Sequence, residues 1–223
     1  MSADRTLRAA LLAEGIGTAG LLMVVVGSGI MAERLAFGNA ALALLANALV
    51  TGCGLFVLIT LFAPVSGAHF NPLVSVMAWS GGELSRGRLV AVMLTQFAAA
   101  IAGTLIAHAM FGLRLIDWGT QRRTGPGQLL SELIATAGLG LVIRGMARRE
   151  VALAAGCIAA YITAAYWFTA STSFANPAVT LARSLTTSFS GIALVDVPGF
   201  VIAQIAGALL GYAAASRVFP ASG

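Results

Sequence analysis

Charge is what this sequence has least of. Only 9% of its 223 residues are charged, against about 25% in a soluble domain. The 13 basic residues fall in short stretches without interleaved aromatics, so the net charge of +5 marks no nucleic-acid surface. There are two cysteines, Cys53 and Cys157, both inside apolar stretches. That excludes a disulfide framework and offers no metal-ligand spacing. No nucleophile has a neighbouring base, and no glycine-rich loop has a phosphate-binding form. An enzyme is therefore not expected, nor a cofactor, nor a metal.

What is abundant is apolar sequence. Hydrophobic residues make up 59% of the chain and the mean hydropathy is +0.93. Stretches of about 20 apolar residues recur throughout, the mark of a polytopic membrane protein. The first begins after Arg5 and Arg8 like a signal peptide. It is too long for one and is interrupted by Glu14, so it reads as a retained transmembrane helix. Six spans are expected at about 9–31, 39–63, 88–112, 128–147, 151–170 and 194–216. Two shorter apolar segments, 71–80 and 176–187, follow the second and fifth spans. A cytoplasmic N-terminus puts Arg5, Arg8, Arg86, Arg88, Arg144, Arg148, Arg149 and Arg217 inside. It leaves Arg34, Arg114, Arg122 and Arg123 outside. The positive-inside rule therefore predicts that both termini are cytoplasmic.

The chain repeats itself. Leu12–Leu21 and Leu130–Leu139 share seven identities in ten residues. Glu14 is paired with Glu132, and Gln96 with Gln204. The stretch Ser66-Gly-Ala-His-Phe-Asn71-Pro72-Leu73-Val74-Ser75 likewise matches Ser171-Thr-Ser-Phe-Ala-Asn176-Pro177-Ala178-Val179-Thr180. Each half carries three spans, an odd number, so the halves are inverted in the membrane. Inverted repeats with broken helices place a pathway near the midplane. Asn is a good N-cap and Pro a good first helical residue, so each Asn-Pro opens a half-helix. The expected architecture is an all-α membrane protein, with six transmembrane helices and two re-entrant half-helices in an inverted 3+3 repeat. It forms one channel domain over 1–223, with repeat 1 at about 9–112 and repeat 2 at about 128–217.

The two Asn-Pro motifs stand 105 residues apart (176 − 71). With the paired Glu and Gln and the six-plus-two layout, they resemble the aquaporin and glycerol-facilitator family, the major intrinsic proteins. The resemblance covers nearly the whole chain. It implies a pore motif of Asn71, Pro72, Leu73, Asn176, Pro177 and Ala178, with the asparagine NH₂ groups aimed at the lumen. Two half-helix N-termini meeting at the centre set a positive field against cations. It implies carbonyls of Gly67, Ala68, His69 and Phe70 along the lumen, and Glu14, Glu132, Gln96 and Gln204 as braces for the loops. A proton-coupled transporter working through Glu14 and Glu132 is the alternative; a non-conducting structural protein is a third reading. His108 has no partner motif and is expected to be buried without a role in the site.

The departure from the family pattern lies in the selectivity filter. Most members carry Arg after the second Asn-Pro-Ala; here the residue is Val179. Counting back from Asn71 and Asn176 puts the other filter positions at Thr51, Ala164 and Ser173, a wide and uncharged ring. Arg183, one helical turn past Val179, stands either at the outer mouth or against loop backbone or lipid headgroups. A bacterial subgroup linked to arsenic resistance has the same Asn-Pro-Ala-Val-Thr and resembles the chain through 161–192. The implied function is passive passage of small neutral solutes: glycerol, water, arsenite and methylated arsenicals. The implied setting is a homotetramer in the inner membrane.

Overall fold

The structure, a computed structural model, describes residues 3–219, with side chains from Thr6 onward. The side chain of Arg5, counted above for topology, lies outside the described residues. The helices are α1 (Ala3–Leu35), α2 (Ala40–Ser66), α3 (Pro72–Ser80), α4 (Arg86–Met110), α5 (Pro126–Met146), α6 (Val151–Phe168), α7 (Pro177–Arg183) and α8 (Val197–Val218). A 3₁₀ turn at Leu194–Asp196 leads into α8. Six of these, all but α3 and α7, are long and apolar enough to cross a membrane. No strand occurs among the described residues.

Local chemistry explains the ends. Asn39 caps α2 by accepting Leu42 N–H at 3.1 Å, and Ser85 caps α4 by accepting Arg88 N–H at 3.3 Å. Gly67, at φ 94°, closes α2 and donates to Ala63 O. Proline stands at the start of α3, α5 and α7, where its missing N–H costs no bond.

The halves pack alike. α1 lies against α2 and α4; α5 lies against α6 and α8; α2 meets α6 across the centre. The close approaches depend on glycine. A Cβ on Gly103 in α4 would strike the backbone of Ala19 in α1. One on Gly211 in α8 would strike the backbone of Ala137 in α5. Small residues at helix crossings let backbones come together where lipid supplies no hydrophobic drive. The outward faces carry exposed Leu12, Leu94 and Leu209, as a lipid-facing surface does.

Two helices depart most from expectation. α1 is longer at both ends than 9–31. α7 stops at Arg183, short of the expected end at 187. There the chain tightens, with Ser184 N–H on Leu181 O and Leu185 N–H on Ala182 O. It then folds back so that Ile192 N–H reaches Arg183 O.

Candidate functional site: a pore between two half-helices

α3 and α7 meet through their asparagines. The side-chain oxygen of Asn71 accepts Leu73 N–H at 3.0 Å; that of Asn176 accepts Ala178 N–H at 3.0 Å and Val179 N–H at 3.3 Å. Each amide then donates across the midline. Asn71 Nδ2 reaches Ala175 O, and Asn176 Nδ2 reaches Phe70 O, both at 2.8 Å. One hydrogen of each NH₂ is thus taken by the opposite loop rather than aimed at the lumen, and only the other is left for a passing solute.

The loops before the asparagines are strained. Ala68, Phe70, Thr172, Ser173 and Ala175 all sit at positive φ, between 49° and 63°. Such residues cost about 1–3 kcal/mol each and persist only where neighbours over-determine them. A buried carboxylate does so in each half. Glu14 accepts the N–H of His69 and of Phe70, both at 2.9 Å, plus Ser66 Oγ and Gln96 Nε2 at 2.8 Å. Glu132 accepts the N–H of Phe174 and of Ala175 at 2.9 Å, plus Gln204 Nε2 at 2.6 Å. Gln96 also donates to Ser75 Oγ, and Gln204 to Thr180 Oγ1. His69 Nδ1 lies 3.1 Å from Ser75 Oγ.

A cavity of about 420 Å³ runs past both asparagines. One end is bordered by Glu83, Arg144 and Tyr212, the other by Tyr166, Phe174 and Arg183. Its walls are mostly apolar, with Leu21, Val25, Leu55, Ile59, Leu139 and Ile162 among them. Gly67, Ala68, His69 and Phe70 all line it, as do Thr51, Ser173 and Val179. Glu14 and Glu132 do not.

Ala164 is not part of this lining; it lies exposed on the outer face of α6. The face of α6 that borders the cavity carries Ile158, Ile162 and Tyr166, spaced four apart. Ala164 is two residues from the nearest of these, about 200° round the helix. The gap-free count failed because the chain between α6 and Asn176 takes another course from that between α2 and Asn71. The residue of α6 that borders the cavity beside Thr51 is Tyr166, whose hydroxyl is 3.3 Å from Thr51 Oγ1. The four-residue spacing of Ile158, Ile162 and Tyr166 was the signal available in the sequence.

Arg183 combines the outer mouth with the loop backbone and, being buried, does not reach lipid headgroups. Its Nε donates to Ser190 O in the following loop, and its guanidinium also borders the cavity. The guanidinium carbon lies 3.4 Å from the centre of the Phe174 ring. Arg123, from the loop between α4 and α5, approaches the same ring at 5.1 Å. It donates to Gly191 O at 2.8 Å, Ser171 O at 3.2 Å and Phe189 O at 3.3 Å. Burial pushes its guanidinium down to about 10, so it stays charged at neutral pH. His108 is buried, and its Nδ1 meets the carbonyls of Arg114 and Leu115, tying down the start of that loop.

Six spanning helices, two broken half-helices and a lined cavity through their meeting point define a membrane channel, not an enzyme. The chain belongs to the major intrinsic protein family: the family model of that description matches residues 2–165. It is 52% identical over 197 residues to aquaglyceroporin AqpS of Rhizobium meliloti, covering 88% of this chain and 84% of that one. A probable aquaporin AqpM of Archaeoglobus fulgidus is 34% identical over 65% of this chain and 64% of its own length. Propanediol uptake facilitator PduF of Salmonella typhimurium is 27% identical over 56% and 46%. Among solved structures, the aquaglyceroporin from Plasmodium falciparum superposes with a TM-score of 0.70. At 17% identity, over 96% of this chain and 97% of that one, it speaks to the fold alone.

Proposed function

We propose that this protein conducts small neutral solutes passively, glycerol and water first, and that its outer ring is wide enough for arsenite and methylated arsenicals. The observation that carries the reading is the apolar-walled cavity, interrupted at mid-depth only by two amides and by loop backbone. The uncharged side chains of Thr51, Ser173 and Val179 at its outer part support an open aperture, which Tyr166 in place of Ala164 makes narrower than the sequence alone implies. Glu14 and Glu132 serve as braces: their oxygens are taken by loop N–H groups and glutamines, and neither borders the cavity. That placement speaks against a proton-coupled transporter, which needs its carboxylates on the solute path. We assign the pore motif, the lumen-lining loops and the glutamine supports the roles that the family resemblance implies, with one hydrogen of each asparagine amide left for solute. Assembly as a homotetramer in the inner membrane, both termini cytoplasmic, belongs to the same reading. The excess of arginines on one side supports the orientation.

Stopped-flow light scattering on liposomes holding purified protein tests this. Water and glycerol fluxes well above bare lipid are expected, and arsenite uptake that an imposed proton gradient leaves unchanged. Accumulation against a concentration gradient would overturn the passive reading.

A further inference from the structure

The family frame accounts for the asparagines, glutamates and glutamines, but not for the charge at the outer end. Arg183 is 1% exposed, yet it borders the cavity. Its Nε is held by Ser190 O and one face is covered by Phe174, and its terminal NH₂ groups meet no protein acceptor among the described residues. Ser173 adds an independent sign. It is 3% exposed, borders the same cavity, and its Oγ has no hydrogen-bond partner. A buried hydroxyl left unmatched is costly unless something visits it. Tyr166 and Thr51 bring two further hydroxyls to this end.

We propose that Arg183, Ser173 and Tyr166 form a docking station for the hydroxyl groups of an uncharged solute such as a polyol, with Arg123 positioning Arg183 through Phe174. The inference rests on the channel reading and assigns its specificity to residues away from the first turn of α7. Solute oxygens replace lost water by accepting from the guanidinium, and a solute hydroxyl donates to Ser173 Oγ. The guanidinium stays in place because its aromatic platform is clamped from behind. Arg123 holds the carbonyls of Ser171, Phe189 and Gly191 and reaches the ring of Phe174. The filter charge is thus set by the loop between the two repeats.

The test reads the glycerol-to-water permeability ratio in liposomes, with proton leak measured on the same vesicles. Arg183→Met is expected to lower the ratio about tenfold, the scale of one charged hydrogen bond, and to raise the leak. Arg183→Lys keeps a donor and a charge, and should stay within about threefold of wild type. Ser173→Ala, a mild change, should lower the ratio about threefold. Arg123→Gln should act in the same direction as Arg183→Met and add nothing to it in the double variant, because it works through Arg183. Additive effects would overturn the positioning role. Unchanged ratios in both Arg183→Met and Ser173→Ala would overturn the station while leaving the channel reading intact. Wild-type glycerol flux no greater than bare lipid would instead overturn the channel reading itself.

Discussion

The two re-entrant loops are built on one plan and finished differently. In both, a buried glutamate takes two successive N–H groups, an asparagine caps a half-helix, and a glutamine links the glutamate to a hydroxyl on that helix. One difference falls at the residue two before the asparagine. In the first loop it is His69, whose ring turns to Ser75 on its own half-helix. In the second it is Phe174, whose ring receives Arg183 and Arg123. The corresponding place to Arg183 in the first half is Ala78. The shared parts hold backbone in a strained path, so they repeat. The unshared parts face solute at opposite ends of the cavity, so they diverge.

Removing a shared brace is the strongest way to break the comparison. Glu14→Leu and Glu132→Leu each orphan two buried N–H groups, at about 1–3 kcal/mol apiece, beside positive-φ residues. Both should lower the thermal midpoint of the detergent-solubilised protein severely, Glu14→Leu more, because Glu14 also holds Ser66. Glu14→Gln and Glu132→Gln should impair assembly more than they alter the flux–pH profile. Normal assembly with loss of a pH-dependent flux would make the carboxylates relay groups instead.

The next effect is confined to the second half. Val179→Arg adds a guanidinium one turn from Arg183 and fills the ring. Glycerol and arsenite fluxes should fall at least about tenfold and water flux much less, with any proton leak reduced. Equal losses of all three would mean a plugged pore rather than an altered filter. Thr51→Val removes the hydroxyl that meets Tyr166 and is worth about 1 kcal/mol. A change of a few-fold in glycerol flux is expected, with little change in stability. The smallest change in selectivity should come from Leu73→Ala, which makes the first motif match the second. Leu73 is buried away from the cavity. The variant should lose stability, by about 2–5 kcal/mol, and keep its solute ratios within twofold.

The shared frame was legible in the sequence because the chain states it twice. Glu14 aligns with Glu132 and Asn71 with Asn176 in the sequence alone, and the spans follow from apolar length. The second repeat's own features had no such copy. Tyr166 was hidden because the count ran from Asn176 through an irregular turn, where residue number does not track depth. Arg123 reaches carbonyls 48 to 68 residues away, and no periodicity announces a contact of that kind. The end of α7 is obscure in the sequence because Ser184–Thr187 carries no Gly or Pro to stop a helix and continues as packed loop, where Leu185 O and Ser184 O accept Asp117 and Gly119 N–H. The crossed bonds of the asparagine amides are not legible at all, because a spacing cannot reveal that each faces a carbonyl from the other half.

Those two crossed amide bonds bear on how the protein is made. Asn71 finds its acceptor at Ala175, and Phe70 O finds its donor at Asn176, each in sequence synthesised more than 100 residues apart. The first half therefore leaves the insertion machinery with an amide and a carbonyl unanswered in a low-dielectric setting. Until the second half arrives, water has to stay with them. The centre of the pore is then dried of those waters only at the last step of assembly, when the two loops meet. Maturation of the channel is, on this view, a dehydration event at mid-membrane, and the two halves expressed as separate chains would have to find each other to complete it.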